Sequence, residues 1–398
     1  MTTSEKELIK ATIPVLRENG VLLTKHFYNR MFTYNPELKN IFNLGNQANG
    51  RQQTALAMAV LAYAEHIENP SVLIDVFKSI GNKHVSLNIT KEQYEIVGNH
   101  LIASIKEVLE ESATENLLSA WAKAYWELAE IMIQIEEEMY QNNLNKKGGW
   151  KGWRSFVITR IVEESEEIKS FYLTPKDNKA IADYLPGQYI TIKTHIEELG
   201  HEQPRQYSLS SSFNEKYYRI SVKLEKGSNS NPDGLVSNVL HNKKEGSEVL
   251  LSAPAGIFNI EEKVDYPMVL ISGGIGITPL LSMLQSQKDY NNQTVWIHSC
   301  RNEKVQAFKN EVEEIVEIDK NLRSYTYYEQ IDSETDTIRR GRINLKNHQE
   351  EILIANAKYY ICGPELFIKS QYQSLINLGV DKNSIHFEEF GPQVLNLN

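Results

Sequence analysis

The hydrophobic period of this chain changes at one place, Lys147-Gly148-Gly149-Trp150-Lys151-Gly152-Trp153. Before it, apolar residues recur at helical spacing; after it, they alternate. A helix-period segment does not settle as a sheet, nor the reverse, so no single layer architecture accommodates the whole chain. Three glycines in these seven residues end the last helix and form a natural linker. At roughly 150 residues per domain, a length of 398 residues asks for two to three domains.

The first part reads as all-α, with helices over about 4–19, 21–33, 47–66, 71–83, 91–110 and 114–141. Ser112-x-x-Glu115 and Thr90-x-x-Gln93 have capping-box spacing and mark the starts of the last two helices. Pro36 and Pro70 fall at breaks, where a missing N–H is harmless. Beyond the linker, short alternating runs at 156–159, 168–173, 189–193, 207–210 and 218–224 predict an antiparallel barrel or sandwich. A third texture begins near Pro267. The buried-type strand Met268-Val269-Leu270-Ile271 leads into a glycine loop and a helix, and further strands at 294–299, 324–328 and 358–362 alternate with helical stretches. That is the α/β pattern of a parallel sheet. The expected division is therefore 1–146 all-α, 147–153 linker, 154–262 antiparallel β and 263–398 parallel α/β.

The formal charge is −10 with no basic block, which argues against nucleic acid and anionic lipid as partners. The longest apolar run, Ala55 to Ala64, has ten residues, short of the ~18 that suggest a membrane span. Two cysteines, Cys300 and Cys362, cannot build a disulfide framework or a four-cysteine metal site. With an N-terminus lacking a signal-like apolar stretch, the expectation is a cytoplasmic protein, monomeric, whose partners are small molecules.

Arg205-Gln206-Tyr207-Ser208 lies on a predicted strand. Arg offers a fork of donors to a phosphate, Tyr a flat face to a ring system, and Ser a hydrogen bond to its edge. Pro186-Gly187-Gln188-Tyr189 starts an upstream strand, and Gly234-Leu235-Val236-Ser237 opens a short helix whose free N–H groups suit a pyrophosphate. Gly273-Gly274-Ile275-Gly276-Ile277-Thr278-Pro279 follows a buried strand and opens a helix, the setting of a nucleotide-binding glycine loop. Cys362-Gly363-Pro364-Glu365 ends a later strand in the same way. In this order the motifs resemble the ferredoxin-reductase-like family, an FAD-binding barrel followed by an NAD(P)-binding domain. The resemblance implies that Tyr189, Arg205, Gln206, Tyr207 and Ser208 hold FAD, with Gly234 and Ser237 at its pyrophosphate. It places Gly273, Gly274, Ile275, Gly276, Ile277, Thr278, Cys362 and Gly363 on the dinucleotide. It also implies that the tail Glu388-Glu389-Phe390-Gly391-Pro392 returns to the flavin, with Phe390 over the face where nicotinamide arrives. Glu389 departs from the family's pattern and would set an extra negative charge beside the flavin.

In the helical part, His84 ends a helix and is followed by a break and a capped helix. Asn35-Pro36-Glu37-Leu38-x-x-x-Phe42 supplies an aromatic suited to a porphyrin face, and Gln52 and Leu56, four apart, share one helix face. This segment is similar to the globins. The resemblance makes His84 the iron ligand of haem b, with Phe42 and Leu56 against the haem and Tyr28, Gln52 and Leu56 in the distal pocket. Tyr94 and Glu136 are the implied proximal pair. A carboxylate on the second nitrogen of His84 fixes its tautomer and raises its donor strength.

A globin fused to such a reductase resembles the flavohaemoglobins, over essentially the whole chain. What this implies is nitric oxide dioxygenation: NO and O2 to nitrate, electrons passing from NADH or NADPH through FAD to haem. The flavin converts a two-electron donor into single-electron steps. Lys83 and Glu388 are implied near the flavin–haem path. Alternatives are a haem-dependent alkyl hydroperoxide reductase, or an oxygen sensor or carrier with an attached reductase. Arg301 follows the second α/β strand and is placed to meet a 2′-phosphate, which leaves NADH against NADPH open.

Overall fold

The structure is a computed structural model, and it describes residues 1–227, 233–261, 263–287 and 292–391. Seven α-helices come first: α1 Thr3–Ala11, α2 Ile13–Tyr34, α3 Leu44–Ala48, α4 Arg51–Glu65, α5 Ile74–Leu87, α6 Lys91–Leu109 and α7 Glu115–Asn145. The expected break at Gly20 is not there. The chain breaks instead at Thr12, because Pro14 lacks an N–H and is tolerated only in the first turn of α2. Gly20 stays helical and serves packing, since a Cβ there would sit 3.4 Å from Ala57 Cβ and α2 thereby crosses close to α4. The expected helix over 47–66 is divided by Gly50, whose φ of +77° favours glycine. At α6 the capping expectation holds, with Gln93 Oε1 accepting from Thr90 N at 3.0 Å. At α7 the cap is Thr114, which accepts from Leu117 N, rather than Ser112.

The glycine stretch is no loose tether. Trp150 is buried in the barrel's core against Phe156 and Tyr218. Six strands follow, β1 Arg154–Glu163, β2 Ile168–Pro175, β3 Tyr189–Ile196, β4 His201–Ser208, β5 Tyr218–Lys223 and β6 Glu248–Leu251, with the short helix α8 Leu235–His241 between the last two. Their order is β4-β3-β6-β1-β2-β5, with every pair antiparallel. The ends meet through a bridge between Leu209 and Ile220, which closes the sheet into a barrel.

The last part contains β7 Met268–Gly273, α9 Ile277–Ser286, β8 Thr294–Cys300, α10 Lys309–Ile318, β9 Leu322–Tyr328, β10 Ile338–Arg340, α11 Gln349–Ile352, β11 Lys358–Gly363, α12 Glu365–Asn377 and β12 Ile385–Glu389. All six strands are parallel, in the order β10-β9-β8-β7-β11-β12. β7 is buried at every residue, as a central strand covered on both faces must be. The order reverses between β7 and β11, so a crevice opens at their C-terminal ends, where ligands of such sheets bind. Among the described residues no helix is long and apolar enough to cross a membrane.

Candidate functional site

The predicted residues form four clusters, three of which meet helix α5. The first is proximal. Gly81 lets α5 approach α7 closely, because a Cβ there would lie 3.3 Å from Ile135 Cγ2. Along α7, Met132, Glu136 and Tyr140 fall at four-residue spacing on the buried stripe. Glu136 is therefore 3% exposed, whereas Glu137 and Glu138 of the same acidic run face solvent. Glu136 Oε1 lies 2.7 Å from His84 Nδ1 and accepts from the Tyr94 hydroxyl at 2.5 Å. A carboxylate oxygen against Nδ1 accepts its N–H, which leaves Nε2 to face a ligand. Burial, then the charge of Glu136, holds the Tyr94 phenol far above its ordinary value, so it remains a donor. Sequence reasoning missed the support beneath it: Tyr125 donates to Tyr94 O at 2.5 Å and fills the space left by Gly98. Among the described residues no three His, Cys, Asp or Glu side chains form a metal cage. A single oriented imidazole fits a metal that brings its own remaining ligands, as a porphyrin does.

The second cluster is distal. Tyr28 is 4% exposed, with its ring 5.9 Å from Phe32 and 5.7 Å from Phe42. Burial pushes its phenol up to about 12, against the pull of hydrogen bonding with Gln52 and Gln47. The structure thus joins Tyr28, Gln52 and Phe42, while Leu56 packs part-buried against the same core. Gln47 was not anticipated.

The third cluster lies where the barrel docks on α5. In the β3–β4 register Tyr189 pairs with Ser208, Ile190 with Tyr207, Thr191 with Gln206 and Ile192 with Arg205, so all five predicted residues share one strand pair. Gln206 Nε2 donates to Ser86 Oγ at 3.2 Å, and Tyr189 also hydrogen bonds with Ser86, two residues beyond His84. Asn82, two residues before His84, accepts from Gly256 N at 2.9 Å. Gly256 has a φ of +116° and presses its backbone on the Tyr189 ring. Tyr207 and Ser208 are part-buried and buried. Arg205 is the informative residue. Burial lowers its guanidinium to about 10, it donates to Pro204 O at 2.7 Å, and no carboxylate pairs with it among the described residues. A desolvated cation without a counter-charge fits an anionic ligand such as the pyrophosphate of FAD. Gly234 caps α8 as expected, with Ser237 Oγ donating to Gly234 O at 2.8 Å and accepting from Glu225 N at 3.2 Å.

The fourth cluster is the glycine loop with the tail. Gly273 ends β7, and residues Gly274–Gly276 turn before Ile277 and Thr278 open α9. Each glycine has a steric reason. Gly274 has a φ of +55°, a Cβ on Gly276 would strike Cys362 O and come within 2.7 Å of Gly363 N, and Gly273 faces the Phe367 ring. Cys362 and Gly363 end β11 beside them. Along β12, Glu388 pairs in register with Cys362 and Glu389 with Gly363. Burial pushes the Glu388 carboxyl up to about 7, against the pull of Lys83, while burial lowers Lys83. Lys83 Nζ donates to Gly391 O at 2.7 Å. Glu389, expected as an extra negative charge beside the flavin, has a cation partner. It is 4% exposed and ion-paired with Arg51 of α4. Phe390 is 42% exposed at the end of the strand, and Pro392 lies outside the described residues. Arg301 is ion-paired with Glu167.

Family models match in the same order: globin over residues 25–132, oxidoreductase FAD-binding domain over 155–260 and oxidoreductase NAD-binding domain over 270–373. The flavohemoprotein of Bordetella pertussis is 46% identical over 394 residues, covering 97% of this chain and 97% of its own length. That of Rhizobium meliloti is 44% identical and covers 99% of each. The crystal structure of flavohemoglobin from Malassezia yamatoensis, with bound FAD and heme, matches with a TM-score of 0.86 at 26% identity, over 98% of this chain and 99% of that one. The FAD/NAD-binding domain of a nitric oxide dioxygenase from Vibrio cholerae matches at 37% identity and a TM-score of 0.55, over 60% of this chain and 99% of its own. This chain is an oxidoreductase whose cofactors are haem, FAD and a nicotinamide dinucleotide. It belongs to the flavohemoprotein family.

Proposed function

We propose that the protein is an NAD(P)H-dependent nitric oxide dioxygenase, forming nitrate from NO and O2. The observation that carries this reading is the double use of α5. One face of the helix holds His84 against Glu136, and the residues on either side, Asn82 and Ser86, take the flavin barrel. When bound, haem supplies a one-electron centre for a diatomic gas, and FAD divides the electron pair of the dinucleotide.

The chain's own residues do the rest. Glu136 holds the Nδ1 proton of His84 and strengthens the imidazole as a donor through Nε2. Tyr28, with its phenol near 12, keeps its proton throughout the physiological range and donates toward negative charge gathering on the distal side. Gln52 and Gln47 orient that hydroxyl. Tyr189, Arg205, Gln206, Tyr207 and Ser208 hold the flavin, with Arg205 meeting its pyrophosphate. The Gly273–Thr278 loop receives the dinucleotide, and Phe390 covers the flavin face that nicotinamide must reach. Glu388, poised near 7 beside Lys83, takes up or releases a proton as charge at the flavin changes.

The test is stoichiometric. Loaded enzyme given NO, O2 and NADH should form nitrate, consuming one NADH for every two NO. Nitrate no faster than in the protein-free mixture, with rapid turnover of an alkyl hydroperoxide, overturns this reading and favours the peroxide one.

A further inference from the structure

We propose that Arg51, a residue of the globin, is a positioning residue that governs nicotinamide access to the flavin. The proposal rests on the reading that Phe390 covers the flavin. Glu388 and Glu389 are consecutive in β12, so their side chains leave opposite faces of the strand. Lys83 acts on Glu388 electrostatically and donates to Gly391 O at 2.7 Å. Arg51 Nη2 pairs with Glu389 Oε1 and lies 3.5 Å from Oε2 of Glu365, the first residue of α12.

The residue before Phe390 and the residue after it are therefore each held by a globin cation. One cation precedes Gln52 on α4, and the other precedes His84 on α5. Phe390 lies just past the end of the strand, directly between these two held positions. Glu389 is 4% exposed, and a buried carboxylate requires a partner. Arg51 forms its ion pair, with Lys83 adding a longer-range attraction. It also has no acidic residue within reach on its own helix, since 45–64 contains neither Asp nor Glu. To admit nicotinamide, Phe390 must leave the flavin, and the strand end can follow only if the Arg51 pair yields. The globin thereby restrains the first step of electron entry, and ionic strength weakens the restraint modestly, through the part-exposed Arg51 end of the pair.

The experiment is anaerobic stopped-flow reduction of the flavin by sub-saturating NADH in holoenzyme loaded with haem and FAD. Arg51→Gln and Glu389→Gln should each speed reduction about three-fold to ten-fold, the range of a part-exposed to well-ordered charge pair. Arg51→Lys should return most of the way to the parent rate. The parent rate should rise with added KCl, and that of Arg51→Gln should not. Phe390→Ala should be fast, and adding Arg51→Gln to it should change nothing further. If Phe390→Ala is fast while Arg51→Gln and Glu389→Gln match the parent in rate and salt slope, the restraint is refuted and the Phe390 reading stands. If Phe390→Ala leaves the rate unchanged, the Phe390 reading falls and takes the proposal with it. Should Arg51→Gln bind its cofactors poorly, Glu389→Gln alone decides.

Discussion

Replacing Glu136 by Gln keeps the shape of the proximal network and removes its charge. In the parent, Oε1 meets His84 Nδ1 at 2.7 Å and accepts from Tyr94 at 2.5 Å, in a site where Glu136 is 3% exposed. A hydrogen bond to a charged group contributes about 1.5–3 kcal/mol and a neutral one about 0.5–1.5, so the substitution forfeits roughly 1–2 kcal/mol. A buried carboxylate favours the more positive, oxidised metal, and its loss must raise the haem midpoint potential. Only the share of that loss that differs between oxidised and reduced metal moves the potential, so at about 59 mV per tenfold for one electron the rise is at most roughly 40–90 mV. Tyr94→Phe should move the potential the other way. Removing the phenol leaves the carboxylate a stronger acceptor for the His84 proton. Spectroelectrochemical titration measures both, and the iron–histidine stretch in the resonance Raman spectrum should shift in step, falling in Glu136→Gln and rising in Tyr94→Phe. Potentials that agree with the parent within about 15 mV, in haem-loaded variants of normal stability, would refute the proximal argument.

Three further outcomes follow from the same geometry. Tyr28→Phe removes one donor from the distal side, a loss of about 1–1.5 kcal/mol, so O2 should dissociate roughly tenfold faster in flash photolysis. An unchanged rate would mean that the phenol does not meet the gas. Gly276→Ala forces a Cβ onto Cys362 O and to within 2.7 Å of Gly363 N. Calorimetry should show a loss of about 1–3 kcal/mol, and NADH should reduce the flavin poorly while dithionite still reduces it normally. For Glu388 the fold favours the uncharged acid, raised from 4.5 to about 7. Its contribution to stability is fully present below 4.5 and is lost as pH rises through about 7. Denaturant titrations of Glu388→Gln against the parent should therefore diverge across that window, the variant gaining about 1 kcal/mol at the upper end once the side chain's partial exposure is discounted. Parallel curves would contradict the buried setting.

Much of the site was legible because its signals are local. Thr90 and Gln93 cap a helix within four residues, and Gln52 and Leu56 share a face through helical spacing alone. Gly273, Gly274 and Gly276 betray a backbone that must turn and pass close to another strand. The errors were local too, where two local rules compete. Gly20 suggested a break yet stays helical because α4 needs the space, while Pro14 supplied the true boundary. Glu136 was the harder case. It heads the acidic run Glu136-Glu137-Glu138, and only its place on the Met132–Tyr140 stripe sets it apart. Ser86 and Asn82 gave no signal, because a small polar residue on a helix has no distinctive pattern until a second domain docks on it.

What the amino-acid order determined by itself was the succession of architectures and the residues able to carry cofactor chemistry. Hydrophobic period, turn chemistry and glycine sterics act between neighbours a few residues apart and survive in any context. Charge compensation does not. Glu389 seemed a bare anion at the flavin, but its partner Arg51 stands 338 positions away, as Lys83 stands 308 from Gly391. Only the packing of three domains brings such groups together, and a buried charge takes its meaning from what faces it rather than from what precedes it in the chain.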